Sequence, residues 1–191
     1  MLEHRELHCI YTLEALYQKN KSTKGKQNEY TGTIMEYVNI TQDMRDYAEQ
    51  EALRMGKLNN SILSGKGNTA GFIGELVAHQ IFGGTIANTY DYDLILTNGL
   101  TVDVKTKRVT SAPRPHYECS VAAFNTKQQC DAYAFVRVDS KCKKAWFLGA
   151  MGKQEYFDAA RFMKKGDVDP SNNFIVKADC YNLPIARLDI Q

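Results

Sequence analysis

Apolar residues follow two rhythms along this chain, one of three to four residues and one of two, and the change from one to the other marks the predicted elements. Leu7, Ile10, Tyr11 and Leu13 to Tyr17 predict a first helix over 2–18, followed by a Lys-, Gly-, Ser- and Asn-rich connector at 19–32. Thr41 stands where a cap would open an amphipathic helix over 42–57, with Met44, Tyr47, Ala48 and Leu53 available to its buried side. After a Gly/Ser/Lys loop at 61–68, Thr69 is placed to cap a helix that runs to Phe82, where Gly83-Gly84 stops it. Its apolar stripe is Ile73, Leu76, Val77 and Ile81, and the small residues Gly71 and Gly74 would let it approach a sheet closely.

Beyond Gly84 the period shortens. Runs at 85–88, 92–96 and 100–109 predict strands, and a loop containing Pro113 and Pro115 precedes a further strand near 118–123 and a helical turn at 125–129. Runs at 132–138 and 145–150 flank a polar turn and predict a hairpin. A short helix near 153–163 and a last strand near 174–177 complete the pattern, with Pro184 limiting regular structure in the tail. The expected class is α/β, with an N-terminal helical extension over 1–60 and a main domain over 61–191.

A length of 191 residues suffices for a core that needs no staple. The five cysteines, at 9, 119, 130, 142 and 180, form no CxxC pair, which speaks against a disulfide framework or a zinc knuckle. The charged start lacks the apolar stretch of a signal peptide, and no apolar run approaches the ~20 residues that span a bilayer, so the expectation is a cytoplasmic protein with no membrane partner. A formal net charge of +2 does not by itself point to nucleic acid, but its distribution is uneven: Lys105, Lys107, Arg108 and Arg114 fall in one stretch without an acid, and Lys141, Lys143 and Lys144 form a second knot. Ser64 to Thr69 lacks the spacing of a phosphate-binding loop.

The chemistry concentrates in the run from Leu100 to Lys107. On a strand, Thr101, Asp103, Lys105 and Lys107 share one face, while Leu100, Val102 and Val104 take the other. A carboxylate and an ammonium two residues apart among valines are costly to bury unless partners are supplied, as a metal and a phosphate would supply them. Whether Asp93 joins depends on register. A two-residue turn at Asn98-Gly99 would set Asp93 opposite Val104, whereas a three-residue loop with Gly99 in the left-handed conformation would set it opposite Asp103. We expect the second register, in which two carboxylates reach one hard cation such as Mg²⁺. Glu75 and His79 lie together beside the apolar stripe of their helix, so Glu75 can lean over the sheet.

A helical Glu, then Tyr92-Asp93 on a strand, nine intervening residues and Asp103-Val104-Lys105 on the next strand resemble the PD-(D/E)xK phosphodiesterase superfamily, which includes restriction endonucleases, junction resolvases and repair nucleases. Tyr92 stands where that family has Pro. The resemblance covers about residues 68–108 and implies a restriction-endonuclease-like αβββαβ core, a central mixed sheet flanked by helices. It also implies an accessory polar residue, for which Gln128 and Gln129 are the candidates. Asp139-Ser140-Lys141 matches the Asp-x-Lys pattern too, with Asp131 ahead of it, but falls at the polar turn of the hairpin with no corresponding helix before it.

The activity so implied is Mg²⁺-dependent phosphodiester hydrolysis of nucleic acid, with DNA as the expected substrate and Mn²⁺ able to substitute. Asp93, Asp103, the Val104 carbonyl and Glu75 would be metal-side residues, Lys105 would polarise the attacking water, and Lys107, Arg108, Arg114 and Gln128 would contact nucleic acid. The alternatives are a catalytically silent nucleic-acid-binding or scaffolding protein of the same fold, and a hydrolase of small phosphate compounds. Pairing into a homodimer stays open.

Overall fold

The computed structural model describes residues 37–55, 68–87, 89–169 and 173–189; the expected helix over 2–18 and the connector at 19–32 lie outside them. Strand β1 (Val38–Asn39) leads into helix α1 (Gln42–Met55), whose start is capped as the sequence suggests, the Met44 N–H donating to Thr41 Oγ1 at 3.2 Å. Its buried side is narrower than expected. Met44 and Ala48 are buried, with Ala52 packed beside them, while Tyr47 is exposed and Leu53 is 81% exposed. At roughly 100° per residue, Leu53 falls half a turn from Met44, on the solvent side.

Helix α2 (Asn68–Phe82) begins a residue earlier than the predicted cap, so Thr69 lies within its first turn. Ala70, Phe72, Ile73, Gly74, Val77, Ala78 and Phe82 are all buried, because the helix is enclosed by α1 on one side and the sheet on the other. Gly74 presses on β4: a Cβ there would collide with the Thr106 side chain, whereas one at Gly71 would meet open space. Gly74 alone thus has the close-packing role expected of both. Gly83 and Gly84, with φ of 73° and 88°, end the helix.

Strands β2 (Thr85–Ile86), β3 (Leu94–Ile95) and β4 (Thr101–Val109) form an antiparallel meander, and β6 (Ala132–Asp139) lies parallel to β4. β7 (Lys144–Gly152) returns antiparallel to β6, and β1 closes the far edge, giving the order β1-β7-β6-β4-β3-β2. The described residues ahead of position 60 are therefore built into the sheet and its core: Ile40, Met44 and Ala48 pack in the same cluster as Val77, Val102 and Val136.

The connection from β4 to β6 holds β5 (Glu118–Ala122) and a 3-10 turn (Ala123–Lys127), not an α-helix of ordinary length. β5 belongs to a second, three-stranded antiparallel sheet that the sequence pattern did not predict, ordered β5-β9-β8. The helix expected over 153–163 divides into α3 (Lys153–Ala159) and strand β8 (Arg161–Met163). The last strand is β9 (Cys180–Pro184); at 174–177 there is only an isolated bridge between Ile175 and Val168. The molecule is thus α/β, with a mixed sheet and three α-helices among the described residues.

β6 is buried from Ala132 to Val138 because both its faces are covered. Helices α1 and α2 lie over one face; on the other, Tyr133, Phe135, Trp146 and Met151 pack with Val121, Tyr156, Leu183 and Ile185 of the second sheet and its neighbours. The acid-and-lysine face of β4 looks toward this second layer.

Candidate active site

The turn that decides the register takes the three-residue form. The Leu96 N–H donates to the Leu100 carbonyl at 2.8 Å, and Gly99 has a φ of 86°. Leu94 pairs with Val102, and the Asp93 N–H donates to the Val102 carbonyl at 3.0 Å, so Asp93 stands across from Asp103. The Asp93 carboxylate is fixed in turn by the Val104 N–H, which donates to its Oδ2 at 2.6 Å. On the neighbouring parallel strand Asp103 pairs with Tyr133, Lys105 with Phe135 and Lys107 with Arg137, so these six residues share one face.

Asp103 is buried, at 4% exposure. Lys105 Nζ lies 2.5 Å from its Oδ2, a close ion pair. Gln128 completes the group. It is 7% exposed, its Nε2 donates to Asp103 Oδ1 at 3.1 Å and to the Tyr90 carbonyl at 2.8 Å, and its Oε1 accepts from Lys105 Nζ at 2.9 Å. One amide therefore holds carboxylate, ammonium and the loop before Asp93 in a single arrangement. Lys153 Nζ donates to the Gln128 carbonyl and secures the amide's own backbone. Lys105 Nζ also lies 5.6 Å from the centre of the Tyr133 ring.

Three acids interact electrostatically here, with the Lys105 ammonium beside Asp103. Burial first, then the Asp103 carboxylate, raises Asp93 to about 7, against the opposing pull of the Val104 N–H and Lys105. Burial, then the charges of Asp93, Asp103 and Glu51, raises Glu75 to about 9. Glu75 thus feels the charge of both aspartates. Among the described residues, no group of three or more His, Cys, Asp and Glu side chains is drawn together as a metal cage. What the site presents is two facing carboxylates, one of them ion-paired to Lys105.

The remaining expected site residues separate. Lys107 stays on the Asp103 face, near Arg137, Glu118 and Asp169, and burial followed by the charge of Arg137 lowers its pKa. Arg108 is directed elsewhere: its guanidinium donates to the Ser140 carbonyl at 2.5 Å, so Lys107 and Arg108 do not form a joint phosphate contact on one face. Arg114 is exposed in the loop before β5. Gln129 turns its side chain to the Lys127 carbonyl, which leaves Gln128 as the polar residue at the site. His79 Nε2 lies 3.1 Å from the Gly84 carbonyl and serves the end of α2.

The competing Asp-x-Lys has a structural role. Asp139 accepts from the backbone N–H groups of Lys141, Lys143 and Lys144, which outweigh the upward push of burial and hold its carboxyl below the usual range. Asp131 is bound to Thr101 N–H and Oγ1, at 2.9 and 2.8 Å, and pins the starts of β4 and β6 together. Sequence reasoning missed Tyr133, Lys153 and Tyr90. Their link to the site passes through a parallel strand pairing and a loop contact across 38 positions, neither of which leaves a local pattern. Compared with known protein families and with curated proteins, the chain matches none.

Proposed function

We propose that the protein is a metal-dependent nuclease of the PD-(D/E)xK kind, hydrolysing phosphodiester bonds in DNA. The observation that carries this reading is the facing pair Asp93 and Asp103, with Lys105 two residues along the same strand and held by Gln128. A restriction-endonuclease-like core is supported by the order of elements: a helix, a three-stranded meander, a crossing segment, and a strand parallel to the third. The crossing segment departs from αβββαβ in carrying β5 and a 3-10 turn.

Asp93, Asp103 and the Val104 carbonyl would hold Mg²⁺ or Mn²⁺, with Glu75 alongside, and the cation would supply Lewis-acid stabilisation of charge on the phosphate. Lys105, oriented by Gln128 Oε1, positions the attacking water through Nζ and offsets negative charge as the phosphorane-like arrangement develops. The Glu75 carboxyl, raised to about 9 and so protonated at neutral pH without a cation, would bind that water or a second cation, the water's proton passing to solvent. Lys107 meets a neighbouring phosphate along the same face.

Lys105→Ala and Asp103→Asn should each lower the cleavage rate by about 100-fold or more while far-ultraviolet circular dichroism keeps its wild-type form. Undiminished cleavage in either variant would remove the assignment.

A further inference from the structure

The two segments that Gln128 draws together over Asp103 each carry an exposed aromatic ring. Tyr90, in the loop ahead of Asp93, is 63% exposed, and its carbonyl accepts from Gln128 Nε2. Phe124, in the 3-10 turn ahead of Gln128, is 45% exposed; that turn is closed by the Gln128 N–H donating to the Asn125 carbonyl at 3.1 Å. The clasp is reinforced where the Gln129 N–H donates to Asp91 Oδ1 at 3.0 Å. Neither ring packs against another aromatic ring among the described residues, although the aromatic side chains of the adjoining layer, including Tyr133, Tyr156, Phe157 and Tyr181, are joined ring to ring.

A single exposed aromatic residue is ordinary on a protein surface. Two such rings on the two loops tied across a buried carboxylate–ammonium pair are placed for a ligand with flat faces. Bases are such ligands, but in a duplex their faces are already stacked on their neighbours, so only an unpaired base can cover a protein ring. Of the basic residues on β4, Lys105 and Lys107 lie on the site face and Arg108 is engaged with the Ser140 carbonyl, while Lys127, exposed in the same turn as Phe124, is placed for the backbone of a strand whose bases meet the rings.

We infer that Tyr90 and Phe124 are base-stacking residues that select single-stranded DNA, holding unpaired bases next to the phosphate presented to Asp103 and Lys105. This rests on the nuclease reading above and adds the substrate class to it. Bases on either side of the scissile phosphate stack on the rings, and the strand enters as a single chain, from a free strand, a flap or a frayed end.

The test is equilibrium binding in EDTA, where cutting does not obscure it, of a fluorescent oligothymidylate and of a blunt duplex of equal length to the full chain. Wild type should bind the single strand more tightly. Tyr90→Ala and Phe124→Ala should each weaken single-strand binding by about 5- to 100-fold and duplex binding by less than about 2-fold, while Tyr90→Phe and Phe124→Tyr keep wild-type affinity. Equal losses on both probes, no loss on either, or a wild-type preference for duplex would overturn the inference and leave the nuclease reading standing if metal-dependent cutting persists. A wild-type chain that neither binds nor cuts any DNA would remove both.

Discussion

At Asp93, burial and the facing Asp103 carboxylate act in the same direction, against one backbone N–H and the Lys105 ammonium. The folded chain consequently keeps a proton on Asp93 between the ordinary value of 3.8 and about 7, where the unfolded chain has released it. More protons bound in the folded state means that stability falls as pH rises through this window, and Glu75 extends the effect upward toward about 9. On the proposed reading a divalent cation would replace those protons, so it should stabilise the protein more at pH 8 than at pH 6. In thermal melts, Mg²⁺ at a hundredfold excess over its Kd should raise Tm by about 5 °C or more at pH 8 and by less at pH 6. Asp93→Asn should flatten the pH slope measured without metal. An equal Mg²⁺ effect at both pH values, or none, would contradict this account of the acids.

At the scale of elements, the site depends on how closely α2 lies on β4. Gly74 sits against Thr106, so Gly74→Ala should destabilise by about 1–3 kcal/mol through overpacking, and the strain would fall one residue from Lys105. Gly71→Ala, facing open space in the same helix, should be neutral or stabilising by up to about 1 kcal/mol. Urea denaturation of the pair checks the contrast; similar midpoints for the two variants would refute it. The elements also mark what the sequence could reveal. The Asp93–Asp103 register was legible because Gly99 selects the loop and alternation does the rest. Glu75 was singled out chiefly by the resemblance, spacing giving only its place beside the apolar stripe, and its electrostatic coupling to the aspartates leaves no pattern in the sequence. Gln128 was one of two candidates, and only the structure separates it from Gln129, because the choice depends on the 3-10 turn that precedes it. The second sheet stayed hidden for a similar reason. Arg161–Met163 continues a helical-looking run, and its three residues make a strand only by pairing with Cys180–Asn182, far along the chain.

For the whole molecule, charge placement says more than the formal net charge of +2. The Lys141–Lys144 knot is organised around Asp139 at the β6–β7 turn, and Lys144 Nζ lies 4.0 Å from the Tyr37 ring centre near the β1 edge of the sheet, at the opposite side from β3. On the proposed reading, the cations that β4 presents on the site face would grip few phosphates at once. With about two or three phosphate contacts on a single strand, affinity should fall about 10-fold between 50 and 200 mM salt. A fall of about 1,000-fold would indicate a broad duplex clamp, and no fall at all would favour a hydrolase of small phosphate compounds. Among the described residues no helix is long and apolar enough to cross a membrane, so the sheet and its two covering layers account for the apolar burial found.

The most direct measurement of the central claim is a cleavage assay in which the full chain is incubated with single-stranded, linear duplex, circular and branched DNA, with Mg²⁺ or Mn²⁺ and with EDTA. The account predicts cutting with either cation, none in EDTA, and loss of cutting in Lys105→Ala. No cutting of any DNA with either metal, or cutting that Lys105→Ala leaves intact, would contradict it.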